Sequence, residues 1–223
     1  CALPIYFTKQ AGQQWFMNAA RERGMNNFLF FTNSAPYFMT RTGSTLSGDN
    51  SGINLRNDKF DDFARFFVRC VQHFKENGYN IKYVSPLNEP NVEWHTNSWQ
   101  EGTFATKADI YRMVAELDKA ISESGADTKI VIPEMGEMKM LFEVAENERI
   151  PDDIIRSMFY DDGAYSVMQF KNLYNCLAAH DYWTAYPPSL LVDIRAQVRD
   201  SLAKNNRDTK FWASEYCILE KNE

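Results

Sequence analysis

An α/β fold of the (β/α)8 barrel type is what this sequence predicts, and three observations carry the expectation. Short apolar runs without polar alternation recur between segments of helical period, the pattern of buried parallel strands joined by helices. Polar and aromatic residues gather directly behind those runs, at the strand ends where barrels and doubly wound sheets both keep their working groups. No glycine-rich phosphate loop follows any run, which favours the barrel over a nucleotide-binding sheet.

Each element has its own justification. Residues 13–24 form an amphipathic stretch closed by Gly24, a helix with a glycine after its last turn. Residues 28–32 are a short, mostly apolar run without alternation and read as a fully buried strand. The segment 42–57 carries Gly43, Gly48 and Gly52 among Ser and Asn and reads as a loop. Phe60, Phe63, Ala64, Phe67, Val71 and Phe74 recur at helical spacing, with Asp58 as N-cap and Gly78 as stop. A second strand covers 81–84. Ile110, Val114, Leu117 and Ile121 mark the next helix, ending near Gly125, and 129–134 is the third strand. Residues 135–176 give only broken helical pieces around Pro151 and Gly163. Residues 177–183 read as the fourth strand. Leu191, Ile194 and Val198 give a further helix, and 210–216 the fifth strand.

Composition narrows the partners. At 223 residues the chain can bury one sizeable core and lies near the lower end of barrel lengths. A net charge of -6, with no run of Lys or Arg, argues against nucleic acid and anionic membrane as partners. No apolar stretch approaches a membrane span. The 11 Tyr and 5 Trp supply flat faces suited to stacking ligands. Cys1, Cys70, Cys176 and Cys217 are too scattered for a metal or redox motif; Cys70 and Cys217 read as small buried apolar residues, and a disulfide is left open. The opening Cys1-Ala2-Leu3-Pro4-Ile5 has neither an initiator Met nor a basic leader, so the chain is expected to be cut from a longer one.

Two carboxylates occupy matching positions. Glu89 stands in Leu87-Asn88-Glu89-Pro90 behind the second strand, and Glu215 at the end of the fifth. In a barrel, strands distant in sequence meet at one face, so such a pair can flank one bond, as glycoside hydrolysis requires. Glu134 also stands at a strand end and competes with them as a third carboxylate.

Four motifs, Asn33-Ser34-Ala35-Pro36-Tyr37-Phe38-Met39-Thr40, Leu87-Asn88-Glu89-Pro90, His180-Asp181-Tyr182-Trp183 and Trp212-Ala213-Ser214-Glu215-Tyr216, come in an order and spacing that resembles glycoside hydrolase family 30. Tyr37-Phe38-Met39-Thr40 and Gln100-Glu101-Gly102 are most similar to its endo-β-1,6-galactanase-like members. The likeness runs over residues 12–219. It implies a retaining barrel glycosidase acting on a neutral polysaccharide or glycoside, with β-1,6-galactan favoured and no metal or organic cofactor. It further implies that Glu89 is the acid/base and Glu215 the nucleophile. Asn88 would bond the sugar 2-hydroxyl, Tyr182 would hold Glu215 with His180 alongside, Trp94 and Trp183 would be sugar platforms, and Asn33 would complete the substrate-binding set. On this resemblance residues 11–223 are part of the catalytic barrel, about strands three to seven. Residues 1–10 fall outside the family pattern, and the intact protein is expected to be secreted, periplasmic or on the cell surface. Glucosylceramide, β-1,6-glucan or xylan as substrates, or a non-catalytic sugar-binding barrel, are the rival readings.

Overall fold

The computed structural model describes residues 6–46, 48, 50–184, 186–205 and 208–217; the expectations for Cys1 and for residues 1–5 lie outside them. The chain runs α1 (Ala11–Glu22), β1 (Phe28–Phe31), α2 (Phe60–Glu76), β2 (Ile81–Ser85), α3 (Lys107–Ser124), β3 (Lys129–Met135), α4 (Ile154–Met158), β4 (Leu173–His180), α5 (Pro188–Ala203) and β5 (Lys210–Glu215). Every strand pairs in parallel with the next in sequence, in the order β1-β2-β3-β4-β5. Parallel strands joined through a helix take right-handed crossovers as a rule, and with every step in the same direction this lays the connecting helices on one face of the sheet.

Aromatic contacts on the other face measure the curl. Tyr83 on β2 and Trp212 on β5 have ring centroids 4.9 Å apart, although β3 and β4 lie between them. Three strand spacings in a flat sheet would amount to about 14 Å. The sheet is therefore concave on this side, with Tyr174 of β4 filling the space 5.0 Å from Tyr83. The described residues thus form an α/β half-barrel of five parallel strands.

The convex face is sealed by the helices. Phe63, Phe67, Ile110, Met113 and Leu117 are essentially without solvent contact and pack on Val84, Ile130 and Ile132 of the strands. Each such side chain contributes about 1.5–3 kcal/mol by leaving water.

Several boundaries differ from the sequence expectation, each for a local reason. The N-cap of α2 is Lys59, whose side chain caps no backbone amide and instead pairs with Asp62 at 2.7 Å, and Asp58 lies one residue earlier. The cap that does form is Thr106, which exchanges bonds with Asp109 at the start of α3; Gly125 ends that helix at φ 66°, where a side chain would be strained. β4 begins at Leu173, inside the stretch that gave no clear pattern, and stops at His180. Its outer half alternates too little for periodicity to register. α5 starts at Pro188, whose missing N–H costs nothing in a first turn. Cys70 and Cys176 are buried, but Cys217 is exposed, because it follows β5 at the rim of an edge strand. No helix among the described residues is long and apolar enough to cross a membrane.

Candidate active site

The C-terminal ends of β2, β3, β4 and β5 deliver Glu89, Glu134, His180 and Glu215 to one spot on the concave side. Glu89 is 3% exposed and takes a left-handed backbone, φ 51°, that turns its side chain over the sheet. Its amide donates to the carbonyl of Glu134 at 2.8 Å. The turn is anchored from the 101–105 segment as well: the amide of Thr103 donates to the Asn88 carbonyl at 2.8 Å, and that of Ala105 to the Pro90 carbonyl at 3.2 Å.

His180 is at the centre. Its side chain has no solvent contact, and Nδ1 lies 3.0 Å from Glu89 Oε1 and 3.5 Å from Glu215 Oε2. Nε2 faces Glu134 Oε2 at 3.6 Å, an ionic contact too long for a hydrogen bond. Burial opposes charge on the ring, but the carboxylates of Glu134, Glu89 and Glu215 outweigh it and push its pKa up to about 9. At neutral pH the site therefore holds an imidazolium among three glutamates. Expected as a substrate-binding residue, His180 is instead walled off, and its partners are the carboxylates themselves.

Glu215 sits beside Tyr182, whose hydroxyl donates to its Oε2 at 2.9 Å. Burial, reinforced by the bond to Glu215 and by the charges of Glu215 and Glu89, pushes the phenol up to about 12, so it remains a donor at neutral pH. The Tyr182 loop is fixed from beneath by Asp181, which is fully buried. Its amide donates to the carbonyl of Glu215 at 3.0 Å, its carboxylate takes the Thr184 hydroxyl at 2.7 Å, and Arg195 of α5 pairs with it at 2.7 Å. No sequence signal linked Arg195 to Asp181, because the two are joined only when α5 folds back on the sheet.

Glu89, His180 and Glu215 present donor atoms no more than 4.8 Å from one another.

The remaining expected residues divide. Trp183 is 39% exposed, with φ 58°, and displays its ring beside Tyr182. Asn33 is exposed, and its carbonyl accepts from Thr103 Oγ1 at 2.6 Å. Asn88 is buried next to Glu89. Trp94 does not serve as a platform here: it is 6% exposed, its Nε1 donates to the Glu89 carbonyl at 3.3 Å, and Gly102 lies flat against the ring, where a Cβ would sit 1.9 Å from Cε2. Its bulk goes into propping the Glu89 turn. Glu134, noted from sequence only as a competing carboxylate, is 1% exposed and lies within the cluster. The strand-end position was the signal for it.

The family model for "O-Glycosyl hydrolase family 30" matches residues 5–223. Among curated proteins, an exo-beta-1,6-galactobiohydrolase of Bifidobacterium longum subsp. longum is 32% identical over 112 residues, covering 46% of this chain and 7% of that protein. A crystal structure of a conserved exported protein from Bacteroides fragilis superposes with a TM-score of 0.94 at 71% identity, over 98% of this chain and 44% of that one. An endo-beta-1,6-glucanase shares the fold alone, with a TM-score of 0.60 at 19% identity over 89% of this chain and 40% of that one. The chain thus spans less than half the length of each of these proteins. With the family model matched over nearly its whole length, and two strand-end glutamates held across a concave parallel sheet, the chain belongs to glycosyl hydrolase family 30.

Proposed function

We propose that this chain is the catalytic part of a retaining β-glycosidase, with Glu89 as general acid/base and Glu215 as nucleophile. One observation carries the reading: carboxylate oxygens of Glu89 and Glu215 stand no more than 4.8 Å apart, on strand ends three places apart in the sheet. Retaining glycosidases keep their two carboxyl groups about 5–5.5 Å apart, whereas inverting ones need about 6.5–9.5 Å to admit a water.

In the first step the proton shared between His180 Nδ1 and Glu89 Oε1, 3.0 Å apart, passes through the Glu89 carboxyl to the glycosidic oxygen while a Glu215 oxygen attacks the anomeric carbon. The bond to the leaving group breaks and a glycosyl ester forms. Tyr182 occupies Glu215 Oε2 and so leaves Oε1 for the attack. In the second step Glu89, now a carboxylate, takes a proton from the water that attacks the same carbon, and the Glu215 carboxylate departs. Asn88 bonds the sugar 2-hydroxyl, Trp183 stacks on a sugar face, and Asn33 lines the rim.

The favoured substrate is a β-1,6-linked galactan. Support comes from the motif resemblance and from the galactobiohydrolase relative. We further take β1 to β5 as strands three to seven of a barrel whose other strands belong to flanking sequence, and the intact enzyme as exported, in line with the exported relative.

The test uses the longer protein that carries this chain. Glu215→Ala and Glu89→Gln are each expected to abolish most hydrolysis of β-1,6-galacto-oligosaccharides, and NMR of the fresh product should show the β anomer first. Ordinary turnover by either variant, or an α anomer first, would refute the assignment. Binding of the oligosaccharide without product would favour a sugar-binding barrel instead.

A further inference from the structure

We propose that Glu134 is a positioning residue, fixing His180 from the side opposite Glu89 and tying together the backbones that carry both Glu89 and Glu215. This rests on the assignment of those two glutamates above.

Glu134 touches every strand of the site. Its carbonyl accepts the Glu89 amide at 2.8 Å, its carboxylate accepts the hydroxyl of Ser214, the residue before Glu215, and its Oε2 faces His180 Nε2 at 3.6 Å. A residue kept only for packing would not be a carboxylate: Glu134 is 1% exposed, and burying a charge without a partner is costly. Nor would it hold φ at 60°, a backbone that a non-glycine residue adopts only when its surroundings impose it. The left-handed turn is what lets one residue direct its carbonyl to Glu89 and its side chain to His180 and Ser214.

The consequence runs through His180. Among the described residues, four titratable groups face the ring: Glu89 after β2, Glu134 on β3, Tyr182 after β4 and Glu215 on β5. An imidazolium spreads its charge over both nitrogens, and with Nδ1 directed at Glu89 the Nε2 side is balanced by the ionic contact with Glu134 at 3.6 Å. Among the described residues, Glu134 alone makes an ionic contact on the Nε2 side of the ring. The same charge keeps the ring protonated, in keeping with its elevated pKa of about 9.

The experiment is Glu134→Gln in the longer protein, read by NMR titration of the His180 imidazole and by the pH dependence of kcat and KM. The His180 titration and the alkaline limb of activity should both move to lower pH, and kcat should fall roughly 10- to 100-fold, the scale for a catalytic group displaced by about 1 Å. KM should stay within a few-fold. An unmoved titration together with a wild-type pH profile would overturn the proposal, as would a loss confined to KM. If E134Q does not fold, Glu134→Asp decides: it keeps the charge but withdraws it by one methylene, and should shift both readouts in the same direction by less, no shift again being contrary. Failure of the underlying reading is separable, because it would show as turnover in Glu89→Gln or Glu215→Ala.

Discussion

Gly102→Ala probes how the Glu89 turn is held. A Cβ at this position would lie 1.9 Å from Cε2, 2.0 Å from Nε1 and 2.4 Å from Cδ2 of Trp94. Carbon atoms rest at about 3.5–4.0 Å, so the indole or the 101–105 backbone must give by about 1.5–2 Å. Neither has room: Trp94 is 6% exposed, and the segment is pinned to Asn88, Pro90 and Asn33. Overpacking of this kind costs about 1–3 kcal/mol, and losing the Trp94 bond to the Glu89 carbonyl adds about 1 kcal/mol, for a total of roughly 2–4 kcal/mol. A Glu89 carboxylate moved by about 1 Å should lose on the order of 100-fold in kcat. The assay is chemical denaturation and turnover of G102A, Trp94→Ala and the double variant. If the clash is the cause, Gly102→Ala costs little once Trp94 is gone, so the two changes are strongly non-additive. Additive losses, or a G102A protein with wild-type stability and turnover, would refute this account of the turn.

Two further outcomes follow from the same cluster. The His180 pKa rises from 6.5 to about 9 on folding, so its stabilisation is complete below about pH 6.5 and is lost as pH climbs through 9. The shift corresponds to about 3 kcal/mol, measurable as a fall in denaturation free energy between pH 6.5 and 9 that His180→Gln should remove; stability that stays flat over this window would contradict the buried imidazolium. Tyr182→Phe removes the donor at Glu215 Oε2 and should cost kcat about 10-fold while leaving the fold intact, and an unchanged kcat would detach Tyr182 from the reaction.

How much of this was legible beforehand depended on the range of the interaction. Local patterns are written in neighbouring residues: the apolar runs at 28–31, 81–85, 129–135 and 210–215 appear as strands, and the Phe60, Phe63, Phe67 stripe appears as a buried helix face. Strand-end placement singled out Glu89 and Glu215 as a pair to compare, and their proximity follows from the curl that brings β2 near β5. Trp94 was misjudged, because an aromatic in a loop looks the same whether it faces a ligand or wedges beneath a turn. Only the contact with Gly102 distinguishes them.

Sequence by itself determined that five strands alternate with helices, which carboxylates stand at their ends and which family the motifs resemble, because periodicity and short motifs are properties of adjacent residues. Tertiary structure alone decided what those carboxylates meet. His180 among three glutamates, Glu134 bonded to the residue preceding Glu215, and Asp181 paired with Arg195 all join elements far apart in the chain. The charge on His180 is set by burial and by those neighbours together, and neither exists until the sheet has curled.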